Sequence, residues 1–192
     1  METMHVKWDM YEMEYKGGIA QSSLSLVPFE EKYYEQYKNL MDDSFYEMRK
    51  ALNIRPHEKH SYSLDGSMEL KKSTFLLLHE DELICAVTCS ETDIKNVAVS
   101  PKHQRKGYGR KLIEFAINYM QNRGDTTIKL TVTKWNKSAI ALYESLGFVI
   151  TKASTIVGVN TKNNSGDWSF EFIETKGLDI QYSKINEKQS RL

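Results

Sequence analysis

Apolar side chains alternate with polar ones along the first fifteen residues, which is the pattern of a half-buried strand. The apolar positions are even up to Met10 and odd from Tyr11 onward. This change of phase predicts a β-bulge near Met10. Gly17-Gly18 then predicts a turn. The pattern therefore predicts an N-terminal β-hairpin over residues 5–27.

From residue 29 the apolar spacing changes from two residues to three or four. Large apolar side chains recur at this spacing from Phe29 to Leu52, which predicts one long amphipathic helix. Arg55-Pro56 would end the helix, because the residue before a proline avoids helical backbone angles. The polar residues 57–73 are expected to form a loop with a short helix.

Strands and helices alternate through the rest of the chain, with glycine or proline at several of the breaks. Residues 186–192 are polar and predict a disordered tail. The elements predicted before that tail are strands at 74–79, 83–90, 93–99 and 126–133, helices at 109–123 and 137–146, and strands from 148 and at 167–174. This order predicts a single α/β domain over residues 1–185 with a mixed sheet.

Composition and charge narrow the class of protein. Lysine plus arginine and aspartate plus glutamate each number 26, and this balance argues against a protein that grips nucleic acid by its phosphates. The longest aliphatic run, Leu76–Leu78, is too short to cross a membrane. The acidic N-terminus is unlike a signal peptide, so a cytoplasmic location is expected. Cys85 and Cys89 are interpreted as small buried side chains, and no metal-ligand spacing is found.

Residues 96–112 combine the end of a strand, a short basic loop with glycines, and the start of a helix. Backbone N–H groups at a helix N-terminus have no intrahelical acceptor and bind anions. Gly107 and Gly109 would let a phosphate approach the backbone closely. The P-loop spacing is absent, and Leu112 stands where a Rossmann fingerprint needs its third glycine. A solvated basic helix start is the alternative interpretation.

Two stretches of the chain resemble the GNAT superfamily of N-acetyltransferases. Gln104 to Gly109 fits the family pattern Q/R-x-x-G-x-G/A, and the strand before it resembles the family's fourth strand. Asn136 to Phe148 is similar to the second family pattern, N-x-x-A-x-x-L-Y-x-x-x-G-F. The resemblance covers residues 74–150 and implies a GNAT-like, mostly antiparallel sheet flanked by helices, with the N-terminal hairpin as an addition.

The resemblance implies acetyl-CoA as co-substrate and no metal. In the family the fourth and fifth strands splay apart and the pantetheine arm enters the gap, which main-chain groups of Val97, Ala98 and Val99 would line. Asn136 would bind the amide chain of the co-substrate, or else cap the helix that follows it. The residues implied around the pyrophosphate are Gln104, Arg105, Lys106, Gly107, Tyr108, Gly109 and Arg110.

The resemblance also implies catalytic groups. Tyr143 stands beside the co-substrate at the family position of the acid that protonates the departing thiolate, and the alternative is a core tyrosine. The family often places a carboxylate base on its fourth strand. Asp93 lies six residues before Val99 and matches one position of this base in the family. Glu91 is the other candidate for the base. The alternative for both residues is a solvated turn without a catalytic role. Alternation predicts Asp93 on the same face as Val97.

The implied function is transfer of an acetyl group from acetyl-CoA to a primary amine of a small molecule or peptide, by direct attack in a ternary complex. Nucleic acid and membranes are not expected partners. The alternative is a non-catalytic GNAT-fold protein that binds acyl-CoA as a sensor or assembly module. The apolar side chains of residues 5–27 further predict that the hairpin closes the acceptor site or supports a homodimer, unless the C-terminal segment covers it.

Overall fold

The structure, a computed structural model, describes residues 2–57 and 71–179, the last six of them by their backbone alone. Within these residues one eight-stranded sheet is flanked by three α-helices that are described over their whole length, and residues 71–73 are the end of a further helix. The strands are β1 Glu2–Tyr15, β2 Val27–Pro28, β3 Thr74–His79, β4 Glu82–Ser90, β5 Asp93–Val99, β6 Lys129–Thr133, β7 Phe148–Lys162 and β8 Trp168–Asp179, and the helices are α1 Tyr34–Ala51, α2 Tyr108–Arg123 and α3 Lys137–Ser145.

The sheet has the spatial order β2-β3-β4-β5-β6-β1-β7-β8. β5 and β6 run parallel, and every other neighbouring pair runs antiparallel. This mixed, mostly antiparallel sheet flanked by helices confirms the predicted fold class. Most of the predicted loop with a short helix at 57–73, and the predicted tail at 186–192, lie outside the described residues.

β1 lies inside the sheet, between β6 and β7, and is not half of a hairpin. Residues 16–26 form neither helix nor strand, and the predicted returning strand reduces to β2, which pairs with β3. The segment after β1 runs along α2 instead. There the side chains of Gln121 and Asn118 bind the backbone of Ala20, so α2 takes the hydrogen bonds that a hairpin partner would take.

The change of apolar phase in β1 has a different cause from the predicted bulge. Residues 10–12 pair one to one with both neighbouring strands, so β1 is regular there. The nearby bulge belongs to β7, in which Thr151 is the extra residue. The apolar side chains of β1 change from one face of the sheet to the other because the helix that covers the strand changes along its length. Asn53, just after α1, contacts Met4 on one face, whereas Met13 packs into the core under α2 on the other.

Two clusters of buried side chains lie on opposite faces of the sheet. We call the side covered by α2 and α3 the α2 face; its cluster includes Ile94, Leu130 and both cysteines, which are buried as predicted. We call the other side the α1 face, where Met41 packs with Ala98. Each large side chain that is fully buried in this way contributes about 1.5–3 kcal/mol.

α1 crosses its face diagonally and is anchored at both ends. Near its start the side-chain oxygen of Gln36 accepts a hydrogen bond of 3.1 Å from the N–H of Leu83 in β4. Beyond its end, the buried side chain of Asn160 in β7 accepts from the N–H of Arg55 at 2.8 Å and donates to the carbonyl of Asn53 at 2.7 Å. None of the described helices is long and apolar enough to cross a membrane.

Candidate active site

The centre of the sheet opens between β5 and β6. The two strands share the pairs Asp93 with Lys129 and Ile94 with Leu130. β5 then continues to residue 99 and β6 to residue 133 without pairing with each other. We call the space between residues 95–99 and 131–133 the gap, and the point where the strands part the vertex.

The backbone of β5 presents hydrogen-bonding groups to the gap. Ser100 donates its N–H to the carbonyl of Ile84 in β4, and Ala98 pairs with Ala86. Backbone groups point to alternate sides along a strand. The N–H and carbonyl groups of Val97 and Val99 therefore point away from β4 and into the gap, as an incoming extended chain would require.

The carbonyl of Val99 already accepts two hydrogen bonds. The side-chain amide of Gln104 donates to it at 3.1 Å, and the hydroxyl of Ser44 in α1 donates at 3.3 Å. Gln104 thus holds the start of the basic loop against the end of β5. Ser44 was not predicted as a site residue, because its contact with a strand 55 residues away leaves no trace in local sequence.

A bulge in β5 separates Asp93 from Val97. Asn96 has a left-handed φ of 50°, and the register with β4 shifts between Ala86 and Thr88. The prediction that Asp93 and Val97 share a face is wrong, because this extra residue reverses the alternation. Ile94 and Val97 both belong to the α2 face, so Asp93 points to the α1 face.

The loop and the uncapped start of α2 lie next to the gap, and we call them the anion cradle after the ligand that such a helix start can bind. Gly107 has φ 86° and precedes α2, and a Cβ built on it meets no atom within 4 Å. No side chain in the described part of the chain caps this helix end. The first N–H groups of α2, on Tyr108, Gly109 and Arg110, are therefore the groups an anion would meet. A Cβ on Gly109 would touch Leu142 of α3 at 3.5 Å, an ordinary contact.

The basic side chains of the cradle differ in the contacts that they make within the protein. Arg110 donates to Ser145 Oγ at 2.7 Å and lies 3.9 Å from Glu114, so it ties α2 to the end of α3. Arg105 and Lys106 are exposed, and Arg105 has a left-handed φ of 61°. All three side chains are therefore exposed, and Arg110 is in addition held by contacts with Ser145 and Glu114.

Tyr143 projects from α3 into the core on the α2 face. Its side chain is 7% exposed and its ring lies 6.0 Å from that of Phe148. Val97 and Val99, which line the gap, pack against the same cluster, and so does the β6 residue Val132. Burial raises the pKa of the Tyr143 phenol to about 12. The phenol thus keeps its proton throughout the neutral range, and the side chain belongs to the core cluster that Val97 and Val99 join.

Asn136 caps α3. Its side-chain oxygen accepts from the N–H of Ala139 at 3.1 Å and from the hydroxyl of Ser138 at 3.0 Å. Of the two interpretations of this residue, the cap is the one the structure displays. A contact with a bound ligand would have to come from the amide nitrogen.

Glu91 and Asp93 lie at the closed end of the β5–β6 pair. The backbone carbonyl of Glu91 accepts a hydrogen bond from Arg123, and Glu91 is exposed in the turn before β5. Asp93 faces Lys129 across the paired part of the strands. Both carboxylates are therefore set back from the vertex, and their predicted role as a base stays a prediction.

Thr133 is a further residue of the gap that the sequence patterns did not single out. Its hydroxyl is buried, on the α1 face of β6, and finds no hydrogen-bond partner among the described residues. A buried hydroxyl without a partner costs about 1–3 kcal/mol. A polar ligand in the gap would remove that cost. Among the described residues no group of three or more His, Cys, Asp or Glu side chains could hold a metal ion.

Comparison with known proteins agrees with this site. Residues 32–148 match the family model described as the Acetyltransferase (GNAT) family, and this match covers more than half of the chain. The chain therefore belongs to the GNAT acetyltransferase family, as the two sequence patterns predicted.

A curated relative and two solved structures show how far the similarity reaches. The [ribosomal protein bS18]-alanine N-acetyltransferase of Escherichia coli K12 is 48% identical over 65 residues, which are 34% of this chain and 44% of the relative. A GNAT-family structure from Novosphingobium aromaticivorans has a TM-score of 0.60 at 20% identity and covers 82% of this chain and 66% of its own. The ribosomal-protein-S18-alanine N-acetyltransferase structure from Escherichia coli has a TM-score of 0.50 at 21% identity, over 84% and 97% of the two chains. The chain thus spans less than half the length of this curated relative, and the structural likenesses concern the fold.

Proposed function

We propose that this protein is an acetyl-CoA-dependent N-acetyltransferase that moves an acetyl group to a primary amine by direct attack in a ternary complex. The observation that carries the proposal is the gap between β5 and β6, which opens beside the anion cradle at the start of α2. An extended thioester with a charged pyrophosphate at one end needs these two features side by side.

The residues of the site fit acetyl-CoA. The N–H groups at the start of α2 and the exposed Arg105 and Lys106 would bind the pyrophosphate. The main chain of Val97 and Val99 would pair with the pantetheine arm, and a backbone N–H there would stabilise the negative charge that develops on the thioester oxygen. The hydroxyl of Thr133, for which the described residues offer no hydrogen-bond partner, lies on the β6 side of the gap.

Tyr143 would supply the proton that the departing thiolate needs. Its raised pKa, about 12, keeps the phenol protonated at the pH of the reaction. Its burial in the cluster that reaches Val97 and Val99 places it on the α2 face, whereas α1 occupies the other face. The acceptor amine would then approach from the α1 face, opposite the acid.

For the acceptor we propose a protein or peptide α-amine, with N-terminal alanine as the first candidate. The support is the 48% identity, over 65 residues, to a protein named for acetylating an alanine of ribosomal protein bS18. Cytoplasmic action, predicted from the N-terminal sequence, fits such an acceptor.

The experiment has two arms. Calorimetry measures acetyl-CoA binding, and free-thiol detection measures turnover with an alanyl tripeptide amide, a lysine peptide with a blocked N-terminus, spermidine and an aminoglycoside. We expect acetyl-CoA binding and fastest turnover with the alanyl peptide. Absence of acetyl-CoA binding would contradict the proposal. Binding without turnover of any amine would favour the sensor or assembly module, and preference for another amine would overturn the acceptor class alone.

A further inference from the structure

Glu12 of β1 lies beside the vertex of the gap on the α1 face. In the register of β1 with β6, Glu12 is directly opposite Thr131, the first β6 residue beyond the pairing with β5. Even-numbered side chains of β1 share the face of Met4, which Asn53 contacts after the end of α1. Directly opposed residues on one face have Cβ atoms about 4.5–5.5 Å apart. The N-terminal strand thus brings a carboxylate next to the vertex.

The α1 face is open to solvent at this place. Thr133 is buried on this face, whereas Thr131 is exposed although β6 is an interior strand. Lys95, the first β5 residue beyond the pairing, is exposed as well. The cover over the α1 face therefore ends between Thr133 and Thr131, and a substrate amine can reach the vertex from the side on which Glu12 lies.

Contacts with both neighbouring strands hold the Glu12 side chain. The ammonium of Lys129 in β6 lies 3.3 Å from Glu12 Oε1. The hydroxyl of Thr151, the extra residue of the β7 bulge, lies 3.3 Å from the Glu12 carbonyl and 3.5 Å from Oε1. Lys152 is directly opposite Glu12 in the register of β1 with β7, so a lysine adjoins Glu12 on each side. Bulges commonly re-aim a side chain next to an active site. Here the bulge occurs opposite the one carboxylate that adjoins the vertex from β1.

Glu12 is closer to the opening, along the strands, than the carboxylate predicted from sequence. Asp93 is opposite Lys129, one pair before the strands part, whereas Glu12 is level with Thr131. Lys129 and Thr131 are two residues apart along β6, which is about 6.6 Å in a parallel strand. Both carboxylates share the α1 face. Asp93 lies on β5 before the strands part, whereas Glu12 lies across β6 from the gap, at the level where the strands have parted.

We infer that the Glu12 carboxylate takes the proton from the acceptor ammonium at the vertex of the gap. This inference rests on the proposed function and adds the base that the function needs. The ammonium N–H bond breaks and a Glu12 O–H bond forms. The amine lone pair then bonds to the thioester carbon, the C–S bond breaks, and Tyr143 protonates the thiolate. The nitrogen releases a second proton through solvent, which restores the phenol, and Glu12 returns its proton to solvent.

The test compares wild type with Glu12→Gln and Glu14→Gln. Glu14 is the matched control, because it lies on the same strand and face, two residues farther from the vertex, and pairs with Lys16. Turnover of the alanyl tripeptide amide is measured from pH 6.5 to 9, and acetyl-CoA affinity is measured by calorimetry. We expect Glu12→Gln to lower kcat/KM by about 10²–10⁴ at pH 7, the usual effect of losing a general base. Acetyl-CoA affinity and the Glu14→Gln rates should change less than about twofold.

The pH dependence distinguishes a base from a structural role. Without Glu12, catalysis must use amine that is already uncharged, and this fraction rises about tenfold per pH unit up to the α-amine pKa near 8. The deficit of Glu12→Gln should therefore shrink as pH rises, and Glu12→Asp should retain part of the rate. Three results would each overturn the inference. The deficit of Glu12→Gln could stay constant with pH, or its rates could equal those of Glu14→Gln. The pH-dependent deficit could also occur in Asp93→Asn instead of Glu12→Gln. If the wild type fails to bind acetyl-CoA or to turn over any amine, the proposed function fails and the inference with it.

Discussion

Ile94 and Ala98, four residues apart in β5, pack on opposite faces of the sheet. Ile94 lies in the cluster under α2 and Ala98 in the cluster under α1. In a regular strand, residues four apart share a face. The left-handed Asn96 between them supplies the extra residue that reverses the alternation. This reversal occurs just beyond the vertex, so the same bulge that shifts β5 against β4 also sets which β5 side chains lie on each face of the sheet beside the gap.

The bulge should carry a measurable conformational cost. Asn96 adopts φ 50°, which asparagine tolerates and alanine does not. We expect Asn96→Ala to lower the free energy of unfolding by about 1–2 kcal/mol more than Asn96→Gly. Both variants lose the hydrogen bond of 3.3 Å to Thr88 Oγ1. The difference between their free energies of unfolding therefore measures the cost of the left-handed backbone alone. Urea unfolding measures it, and equal stability of the two variants would contradict the assignment.

The anion cradle should be sensitive to a negative side chain at Gly109. A Cβ at Gly109 meets Leu142 at 3.5 Å, so the fold should tolerate a substitution there. A glutamate carboxylate at this place would fill the space expected for the pyrophosphate and repel its negative charge. We expect Gly109→Glu to weaken acetyl-CoA binding by at least about 100-fold, or about 2.7 kcal/mol, in calorimetry. Gly18→Glu is the control, because a Cβ at Gly18 meets nothing within 4 Å. Undiminished affinity in Gly109→Glu, with the circular dichroism spectrum retained, would remove the cradle from the site.

Loss of the Tyr143 proton should affect turnover and not binding. Tyr143→Phe keeps the buried ring and is expected to lower kcat by about 10²–10⁴, with acetyl-CoA affinity unchanged within about twofold. Tyr119→Phe is the control, because Tyr119 packs on Phe75 in the same cluster, with ring centroids 4.5 Å apart. An unchanged kcat in Tyr143→Phe would leave Tyr143 as a core residue alone.

The raised pKa of Tyr143 also has a consequence for stability. The folded state holds the phenol proton up to about pH 12, whereas the unfolded chain releases it near pH 10. Stability from this group is thus complete below pH 10 and is lost as pH rises from 10 through 12. We expect the thermal midpoint of wild type to fall more steeply over this range than that of Tyr143→Phe. Parallel curves would contradict the burial of the phenol.

Asn160 should be required for the position of α1. Asn160→Leu would leave the carbonyl of Asn53 and the N–H of Arg55 without their partner, and each such group costs about 1–3 kcal/mol. We expect a loss of about 2–4 kcal/mol in urea unfolding. Asn122→Leu, on the exposed side of α2, should stay within about 0.5 kcal/mol of wild type. A small effect of Asn160→Leu would mean that this anchor is dispensable.

The cysteines should be inert in the folded protein. Burial raises the pKa of both the Cys85 and the Cys89 thiols to about 12, and the thiolate is the reactive form. We expect neither thiol to react with a disulfide reagent within minutes at pH 8, and both to react after unfolding in guanidinium. Rapid reaction of the native protein would contradict this burial.

Local sequence determined most of the elements and the residues of the anion cradle. The spacing of apolar residues predicted β3 and β5 with their observed bounds and α2 within one residue, because side-chain period and helix caps are local properties. Gly107 and Gly109 marked the cradle for the same reason, since a turn into a helix start needs particular residues at particular places. The family patterns then predicted the gap through resemblance.

Tertiary structure alone decided where β1 lies and which carboxylates approach the vertex. Glycines at 17 and 18 are typical of a hairpin, yet side chains of α2 bind the segment that follows, and β1 pairs between β6 and β7 instead. The register of β1 with β6 sets Glu12 beside Thr131 across 119 positions of sequence. Strand pairing joins backbone groups that any residue possesses, so no side-chain pattern near Glu12 could reveal its partner. The bulge at Asn96 likewise depends on pairing with β4, and this is why regular alternation placed Asp93 and Val97 on one face.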